Sequence, residues 1–490
     1  MKRLVYDSVK QILRALGYGI VGGLVVTIAV LVMILERRPD LEVWHSVHLD
    51  EEFTADSGLK SFADYIALEE RLFAQLDREI YDALATEQAH QLNRYDRGSI
   101  SDPGRWPRNW NRSFELPVDE PRSAVLLIHG MSDSPYSMRS LSERLHDEGA
   151  WVVGLRVPGH GTAPSGLLRV EWQDMAAAVR LAMQHLREKV QDRPLFIIGY
   201  SNGGALAVHY GLEAVAESQL PMPQHLILLS PEIGITKLAA LASWQERLGH
   251  LLGLKKLGWT SILPEYEPFK YQSFALNAGK QAHLITRAIQ TAITKLATAS
   301  ALDRFPPTLA FQSVADATVT APVLVSGLFD RLPANGNELV LFDVDRSARI
   351  EPLMKADPGS WLDAMLADAS HSFAIAVLTN ESPDTQRVAI HRRNEQDAAI
   401  ETRKTTLAWP ESIYSLSHVS LPFSPDDPVY GGPDAGESPG IQLGNIALRG
   451  EKGVLRVTGT EMLRLRWNPF YSYLEQRVLE VVVGTGSEGS

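Results

Sequence analysis

The chain has 490 residues, of which 45% are hydrophobic and 22% charged, values typical of a globular protein with one large domain or two. Its net charge of −12 argues against nucleic acid as a partner, because no basic cluster outside the N-terminus offsets it. The absence of cysteine excludes disulfides, thiolate metal sites and a cysteine nucleophile.

The first predicted element is an uncharged apolar run, residues 16–35, long enough to cross the hydrocarbon core of a bilayer as a helix. A cleaved signal peptide is the alternative, but its apolar region is usually about 7 to 15 residues, and no cleavage motif precedes Glu36. Residues 1–15 carry four basic residues, against Arg37 and Arg38 after the run, which predicts a cytoplasmic N-terminus. We therefore expect a single-pass membrane protein whose main body is periplasmic or otherwise extracytoplasmic.

Residues 36–121 are predicted to form a helical spacer and linker. From about residue 56 to residue 85, apolar side chains recur at helical spacing among many charges, which indicates an amphipathic helix. Residues 97–121 contain glycine, proline and two tryptophans with little periodicity, as expected of a linker or a loop that wraps the main body.

Strands alternate with helices in the next part of the chain, which is typical of crossover connections between parallel strands. We therefore expect an α/β fold with a doubly wound, mostly parallel sheet, in a domain that covers residues 122–483 and is followed by a disordered tail, 484–490. The apolar runs interpreted as its strands are residues 123–128, 151–157, 195–198, 226–229, 308–312, 338–344, 373–378 and 413–416.

Two insertions are predicted within this domain, and the first of them interrupts the alternation. Residues 235–301 are helix-like and aromatic, and we expect them to form a cap over the site; extra helical packing on one flank is the alternative. Residues 327–410 form a second insertion, between the candidate acid and the candidate histidine described below.

The sequence Gly199-Tyr-Ser-Asn-Gly203 follows a buried strand and precedes a helix-like segment. A strand that turns sharply into a helix holds Ser201 clear of the backbone, and the two glycines avoid a Cβ that would collide with the neighbouring strand or helix. The N–H of Asn202 then lies at a helix N-terminus, where negative charge is favoured. This pattern predicts a nucleophilic serine at position 201, with an ordinary glycine-rich turn as the alternative.

A serine hydroxyl needs a base, and the base needs an acid that orients it. On this topology the order along the chain is serine, acid, histidine, which leaves His371, His391 and His418 of the 14 histidines. His418 is favoured because it leaves a short strand-like run and enters a loop. His371 also lies in a loop-like stretch, and His391 lies in a charged run interpreted as a solvated edge strand.

Asp316 is the favoured acid because it comes three residues after Ser313, at the carboxyl end of a predicted strand. The alternatives are Asp330, Asp343 and Asp345, for which surface solvation is the expected role.

Donors for a developing oxyanion are expected from two backbone N–H groups. One is the N–H of Asn202, and the other is the N–H of Met131, in the loop His129-Gly130-Met131 after the first strand. Gly130 lets this loop approach the serine closely.

Several of these motifs together resemble the α/β-hydrolase superfamily, closest to its monoacylglycerol-lipase and carboxylesterase branch, the serine aminopeptidase S33 type of domain. The resemblance implies that Ser201 is the nucleophile, Asp316 the acid and His418 the base, with Met131 and Asn202 as the oxyanion donors. The motifs are Leu127-Ile-His-Gly130, Ser134-Pro-Tyr136, Val157-Pro-Gly-His-Gly161, Gly199-Tyr-Ser-Asn-Gly203 and the segment around Asp316.

We therefore expect a membrane-anchored serine hydrolase that cleaves carboxylic esters, including lipid or acylglycerol-like esters, through an acyl-enzyme. A serine aminopeptidase or amidase on the same fold is one alternative, and a catalytically silent membrane-tethered scaffold is another. No metal or organic cofactor is expected, since none of the histidines has zinc-site spacing with carboxylates.

Overall fold

The computed structural model of the chain describes residues 2–84, 92–234, 254–355, 357–444 and 459–484. A ten-stranded sheet lies at its centre, with its strands in the order β1-β3-β2-β4-β5-β8-β9-β10-β11-β12. The strands from β3 to β10 in this order are parallel to one another. The strands are β1 (Phe114–Leu116), β2 (Ser123–Ile128), β3 (Ala150–Leu155), β4 (Leu195–Tyr200), β5 (His225–Leu229), β8 (Thr308–Ser313), β9 (Glu338–Phe342), β10 (Ala374–Asn380), β11 (Arg387–Arg393) and β12 (Ile400–Ala408), while β6 (Trp259–Ser261) and β7 (Phe274–Ala275) form a separate hairpin.

Helices cover both faces of this sheet, and β2 and β4 are accordingly buried at every position and, apart from Ser123, without polar side chains other than the hydroxyl of Tyr200. One face carries α3 (Phe62–Leu76), α6 (Trp172–Val190), α7 (Asn202–Ala216), α8 (Leu276–Thr298), α9 (Ala321–Gly327) and α10 (Gly359–Ala367); the other carries α5 (Arg139–Asp147) and α12 (Tyr471–Val482). Short helices α2 (Val43–Ser46), α4 (Asp82–Leu84) and α11 (Gly459–Met462) lie between these elements along the chain.

The N-terminal helix α1 (Lys2–Glu36) contains the apolar run. Within the described residues, its segment Arg14–Glu36 is the stretch that is long and apolar enough to cross a membrane. This segment has a mean hydropathy of 2.6 and is 7% buried. A signal sequence meets the same criterion of length and composition. Large apolar side chains such as Tyr18 and Ile20 are more than two-thirds exposed on this helix.

The predicted spacer packs on the sheet domain. The expected helix of residues 56–85 is observed as α3, which continues through a π-helical turn, Asp77–Tyr81, into α4. Glu69 of α3 pairs with the fully buried guanidinium of Arg156 at 2.9 Å, and Glu52 pairs with the same side chain at 2.9 Å. Because a buried charge is costly unless it is paired, these contacts tie residues 52–76 to the end of β3.

Two predictions about individual elements are wrong. Residues 413–416 do not form a strand; they run as irregular chain into a 3-10 turn, His418–Ser420. The strand that contains His391, β11, is not at the edge of the sheet, because β12 pairs with it on its outer side.

The expected cap, residues 235–301, divides into parts. Residues 235–253 lie outside the described residues. The last part is α8, which packs against α6 and α7 within the helical layer, as in the flank packing considered as the alternative. Between them, residues 254–275 contact the loop after β2, where the N–H of Tyr271 donates to the carbonyl of Ser132 at 2.8 Å.

Candidate active site

Ser201 occupies the turn between β4 and α7. Its backbone is in the left-handed region, with φ 53° and ψ −116°, a strained conformation for a residue with a side chain. A Cβ on Gly199 would lie 2.3 Å from the carbonyl oxygen of Gly203, and a Cβ on Gly203 would lie 2.2 Å from that of Ile128. Gly199 is therefore required for the close approach of β4 to the start of α7, and Gly203 for the close approach of α7 to the end of β2.

The position of this turn in the sheet favours ligand access. β2 lies between β3 and β4, so the connection that follows β2 and the one that follows β4 lead to opposite sides. Ligands bind in the crevice that such a reversal of strand order opens at the carboxyl ends of the strands. Ser201 follows β4 at that edge, and Gly130 follows β2, with its Cβ position only 3.1 Å from the Cβ of Ser201.

The structure brings Ser201, Asp316 and His418 together. His418 Nε2 lies 2.9 Å from Ser201 Oγ, and His418 Nδ1 lies 2.7 Å from Asp316 Oδ2. A carboxylate can only accept, so Nδ1 carries the proton and Nε2 is free to accept from the serine hydroxyl. The three side chains are buried, with 7%, 3% and 6% of Ser201, Asp316 and His418 exposed.

Asp316 lies three residues beyond β8, where backbone and side-chain donors hold its carboxylate. Its Oδ1 accepts from the N–H groups of Thr318 at 2.8 Å and Val319 at 3.0 Å, and Gln312 donates to Oδ2 at 3.0 Å. Burial alone would raise the pKa of Asp316, but His418 and the two N–H groups outweigh it and lower that pKa below its usual value. The acid is thus held in its charged form opposite the imidazole.

His418 is held by hydrogen bonds of its neighbours rather than by a strand. Ser313 Oγ donates to the carbonyl of Leu416 at 2.9 Å, and Ser417 Oγ donates to the carbonyl of Leu465 at 2.5 Å. The ring of Tyr200 lies 5.6 Å from the imidazole, centroid to centroid. These contacts fix the loop at the carboxyl end of β8, although the preceding residues have no regular structure.

The alternative residues lie in other surroundings. His371 contacts Asp330 at 3.5 Å and Asp368 at 3.8 Å, and His391 Nδ1 lies 2.9 Å from Thr402 Oγ1 on β12. None of these contacts involves Ser201.

The two acids after β9 are buried, each 3% exposed, so the expected surface solvation is wrong for them, and both are engaged away from Ser201. The carboxylate of Asp343 accepts from Arg346 at 2.7 Å, and Asp345 accepts from the backbone of Ser347 at 3.0 Å and from the amide of Asn380 at 2.8 Å.

The loop with the proposed oxyanion donor Met131 is fixed by a neutral histidine. His129 Nε2 accepts from the N–H of Val157 at 3.0 Å, which leaves Nδ1–H to donate to the carbonyl of Gly130 at 2.8 Å. Burial lowers the pKa of His129 well below its usual value, so the ring stays neutral. The N–H of the other proposed donor, Asn202, belongs to the first turn of α7, where backbone N–H groups have no partner within the helix.

Glu232 is a residue near the site that the sequence reasoning missed. Its N–H donates to the carbonyl of Ser201 at 3.0 Å, and its Oε2 is buried without a hydrogen-bond partner in the described part of the chain. Burial, reinforced by the charge of Asp316, raises the pKa of Glu232 to about 7. Its position in the sequence could have indicated it, because Glu232 follows β5 by three residues and so lies at the edge of the sheet that carries Ser201 and Asp316.

No group of three or more histidine, aspartate or glutamate side chains that could hold a metal ion occurs among the residues that the structure describes.

Residues 119–343 match the sequence model of a family described as serine aminopeptidase, S33. Over 85 residues the chain is 35% identical to the thermostable monoacylglycerol lipase of Bacillus sp. (strain H-257). That match covers 17% of this chain and 33% of the lipase, so the chain spans about a third of the length of this relative.

Solved structures with similarity include one reported with LipS and LipT, two metagenome-derived lipolytic enzymes, at 22% identity and a TM-score of 0.38 over 47% of this chain and 87% of the other. The monoacylglycerol lipase of Paleococcus ferrophilus is similar at 17% identity and a TM-score of 0.35, over 47% of this chain and 88% of the other.

Proposed function

We propose that this chain, an α/β-hydrolase of the monoacylglycerol-lipase and esterase type, is a membrane-anchored serine hydrolase that cleaves carboxylic esters at Ser201. The observation that carries the proposal is the hydrogen-bonded series from Ser201 Oγ through His418 to Asp316, with separations of 2.9 Å and 2.7 Å. Such a series is what converts a weakly nucleophilic hydroxyl into one that attacks a carbonyl.

In the proposed reaction, Ser201 Oγ attacks the ester carbonyl while His418 Nε2 takes its proton. Asp316 holds the imidazole in the required tautomer and stabilises the imidazolium that forms. The N–H groups of Met131 and Asn202 bind the oxyanion, a contribution of about 2.7 to 4 kcal/mol per donor. His418 then protonates the departing alcohol, which leaves an acyl-enzyme. Water, activated by the same imidazole, releases the carboxylic acid and restores the serine.

A lipid-derived ester is the proposed substrate class. One relative is a monoacylglycerol lipase by name, and α1 supplies an apolar segment that would keep the enzyme at a bilayer. The N-terminus is proposed to be cytoplasmic and the hydrolase domain extracytoplasmic, on the charge bias around this segment.

Replacement of the nucleophile tests the reaction. We expect Ser201→Ala to lower kcat on p-nitrophenyl esters by about 10⁶-fold, because the acyl-enzyme can no longer form. The exposed Ser326→Ala is the matched control and should retain activity. Labelling by a fluorophosphonate that requires folded protein and Ser201 would support an activated serine. Unchanged ester hydrolysis by Ser201→Ala would overturn the proposal.

The same assays separate the alternatives. Hydrolysis of aminoacyl-arylamides in preference to esters would indicate an amidase, and a folded protein that neither labels nor hydrolyses would indicate a scaffold. His418→Ala should abolish labelling and His371→Ala should not; the reverse result would move the base to His371.

A further inference from the structure

The chain that leaves the apolar helix is bound directly to the segment that follows the undescribed part of the insertion. The guanidinium of Arg38 donates to the carbonyls of Lys256 at 2.9 Å and Thr260 at 3.0 Å. In return, the ammonium of Lys256 donates to the carbonyl of Arg38 at 3.0 Å and to the carboxylate of Asp40 at 2.7 Å. We call these four residues the Arg38 clamp. The clamp joins positions about 220 residues apart in the sequence. Its first member, Arg38, lies two residues after the end of α1.

Buried aromatic contacts continue this junction along the chain. The ring of His45 meets the edge of Trp259 at 4.9 Å between centroids, and His45 Nε2 lies 2.9 Å from Ser273 Oγ. His45 and Trp259 are 2% and 3% exposed. Burial lowers the pKa of His45 to about 4, so its ring is neutral and carries no charge into the interface. The junction is therefore a packed interface and not a loose tether.

The same segment, residues 254–275, reaches the loop beside the nucleophile. Besides the backbone hydrogen bond from Tyr271 to Ser132, the ammonium of Lys270 pairs with the buried carboxylate of Asp133 at 3.1 Å. Ser132 and Asp133 directly follow the proposed oxyanion donor, Met131. One segment of 22 residues thus contacts both the end of the apolar helix and the loop that borders Ser201.

The length of the helix fixes where this segment would lie at a membrane. Arg14–Glu36 has 23 residues, which at 1.5 Å per residue span roughly 34 Å, against about 30 Å for the hydrocarbon core. Arg38, and with it Lys256 and Thr260, would then lie at the level of the lipid headgroups. The neighbouring Arg37 and Lys255 are exposed cations, suited to lipid phosphates.

On the basis of the proposed function, we propose that the Arg38 clamp holds residues 254–275 against the bilayer, so that ester substrates reach Ser201 from the lipid phase along this flank. The partner is a phospholipid surface. The clamp sets the orientation of the hydrolase domain on its anchor, whereas the helix alone would set only its distance.

Site-specific labelling tests this orientation without reference to catalysis. Because the chain has no cysteine, Thr260→Cys and Glu401→Cys, both at exposed positions, each give a single attachment point for a fluorophore. The full chain would be reconstituted in phosphatidylcholine vesicles that contain a headgroup-nitroxide lipid. We expect quenching of the label at 260 and little at 401, which lies on the edge strand β12. Equal quenching at both positions, or none at 260 in protein that co-floats with the vesicles, would overturn the proposal.

Activity supplies the second measurement. The double variant Arg38→Ala, Lys256→Ala should lose about tenfold in kcat/KM on 1-oleoylglycerol embedded in vesicles, because the reactive flank is no longer held at the surface. Its hydrolysis of soluble p-nitrophenyl butyrate should change by less than about fivefold, because the contacts of Arg38 and Lys256 do not involve Ser201, Asp316 or His418. Arg349→Ala, which removes the exposed pair with Asp384, is the control.

Three outcomes separate the two proposals. An equal loss on both substrates, or no loss on either, overturns the orientation while Ser201 labelling still supports the hydrolase. Absence of Ser201 labelling overturns the proposed serine hydrolase activity. The orientation of the domain at the bilayer is then tested by the quenching measurement alone.

Discussion

Around Ser201, carboxylates of two kinds lie within one buried site. Asp316 accepts three hydrogen bonds from donors other than His418 and is stabilised in its charged form, whereas Glu232 has an oxygen with no partner among the described residues. The same burial therefore has opposite outcomes, because only Asp316 has the donors that replace water. One acid is held charged for the proposed triad, and the other stays protonated up to about neutral pH.

The raised pKa of Glu232, about 7, has a consequence for stability. The folded protein keeps this proton, while the unfolded chain loses it above about pH 4.3. The free energy of unfolding therefore falls as the pH rises from about 4.3 to about 7, and above about pH 7 this cost in stability is constant. Glu232→Gln removes the cost. We expect it to raise the Tm relative to the parent protein at pH 8 and to leave it nearly unchanged at pH 4.

Thermal unfolding of both proteins in detergent at the two pH values measures this effect. Glu217→Gln, at an exposed position after α7, is the control and should show no such difference. A gain that is the same at both pH values would mean that folding does not raise the pKa of Glu232.

At the scale of single elements, the strand-turn-helix unit of β4 and α7 is determined by contacts of its backbone. The glycine positions are occupied by neighbouring carbonyl groups, so the unit tolerates no Cβ there. The loop that carries His418 is the opposite case, since its place depends on hydrogen bonds from Ser313 and Ser417 to distant carbonyls. A short sequence motif therefore predicts the turn between β4 and α7, but no such motif predicts the position of the loop that carries His418.

Gly203→Ala tests the fit of this unit. Its Cβ would lie 2.2 Å from the backbone oxygen of Ile128, which cannot move without shifting β2. We expect the free energy of unfolding to fall by about 3 kcal/mol, the upper part of the usual range for overpacking.

Gly279→Ala is the matched control, because Gly279 lies inside α8 and its Cβ would meet its nearest neighbour, Phe274, at 4.0 Å. It should stabilise the protein by about 0.5 to 1 kcal/mol. Urea unfolding followed by tryptophan fluorescence measures both variants, and a loss of the same size in both would refute the steric explanation.

At the scale of the whole molecule, the chain that follows the apolar helix is joined to the sheet domain by packing as well as by the peptide chain. The segment after α1 is buried against residues 254–275, and α3 is tied to β3 through Glu69 and Arg156. In contrast, little of α1 itself is buried. The apolar helix is thus separable from the core, while the spacer that follows it is part of the core.

Deletion of residues 1–33 tests this division, since it keeps the buried Leu35 and the Arg38 clamp. The full chain should remain in the membrane pellet after carbonate extraction, and the shortened chain should be found in the supernatant with its fluorophosphonate labelling intact. A shortened chain that still sediments with membranes would show a further attachment. A full chain that is released by carbonate would argue against a spanning helix.

Several features followed from the sequence because each depends on residues that are close together. The apolar strands, the turn at Ser201 with its two glycines, and the loop at His129-Gly130 follow from local sterics and burial patterns. The order serine, acid, histidine along the chain left three candidate bases, and His418 was favoured on a strand at residues 413–416 that is not observed. The structure nevertheless brings Asp316 and His418 together with Ser201. The catalytic roles of these residues, and those of Met131 and Asn202, remain predictions.

Only the tertiary structure decided the features that depend on distant residues. Ser201 and His418 are 217 positions apart, and the clamp joins positions 216 to 222 apart, so no local pattern encodes either contact. Residues 413–416 resemble a strand in composition, yet they form no ladder with a strand of the sheet and remain irregular. Local sequence fixes which backbone conformations are available, and the free energy of long-range packing selects among them.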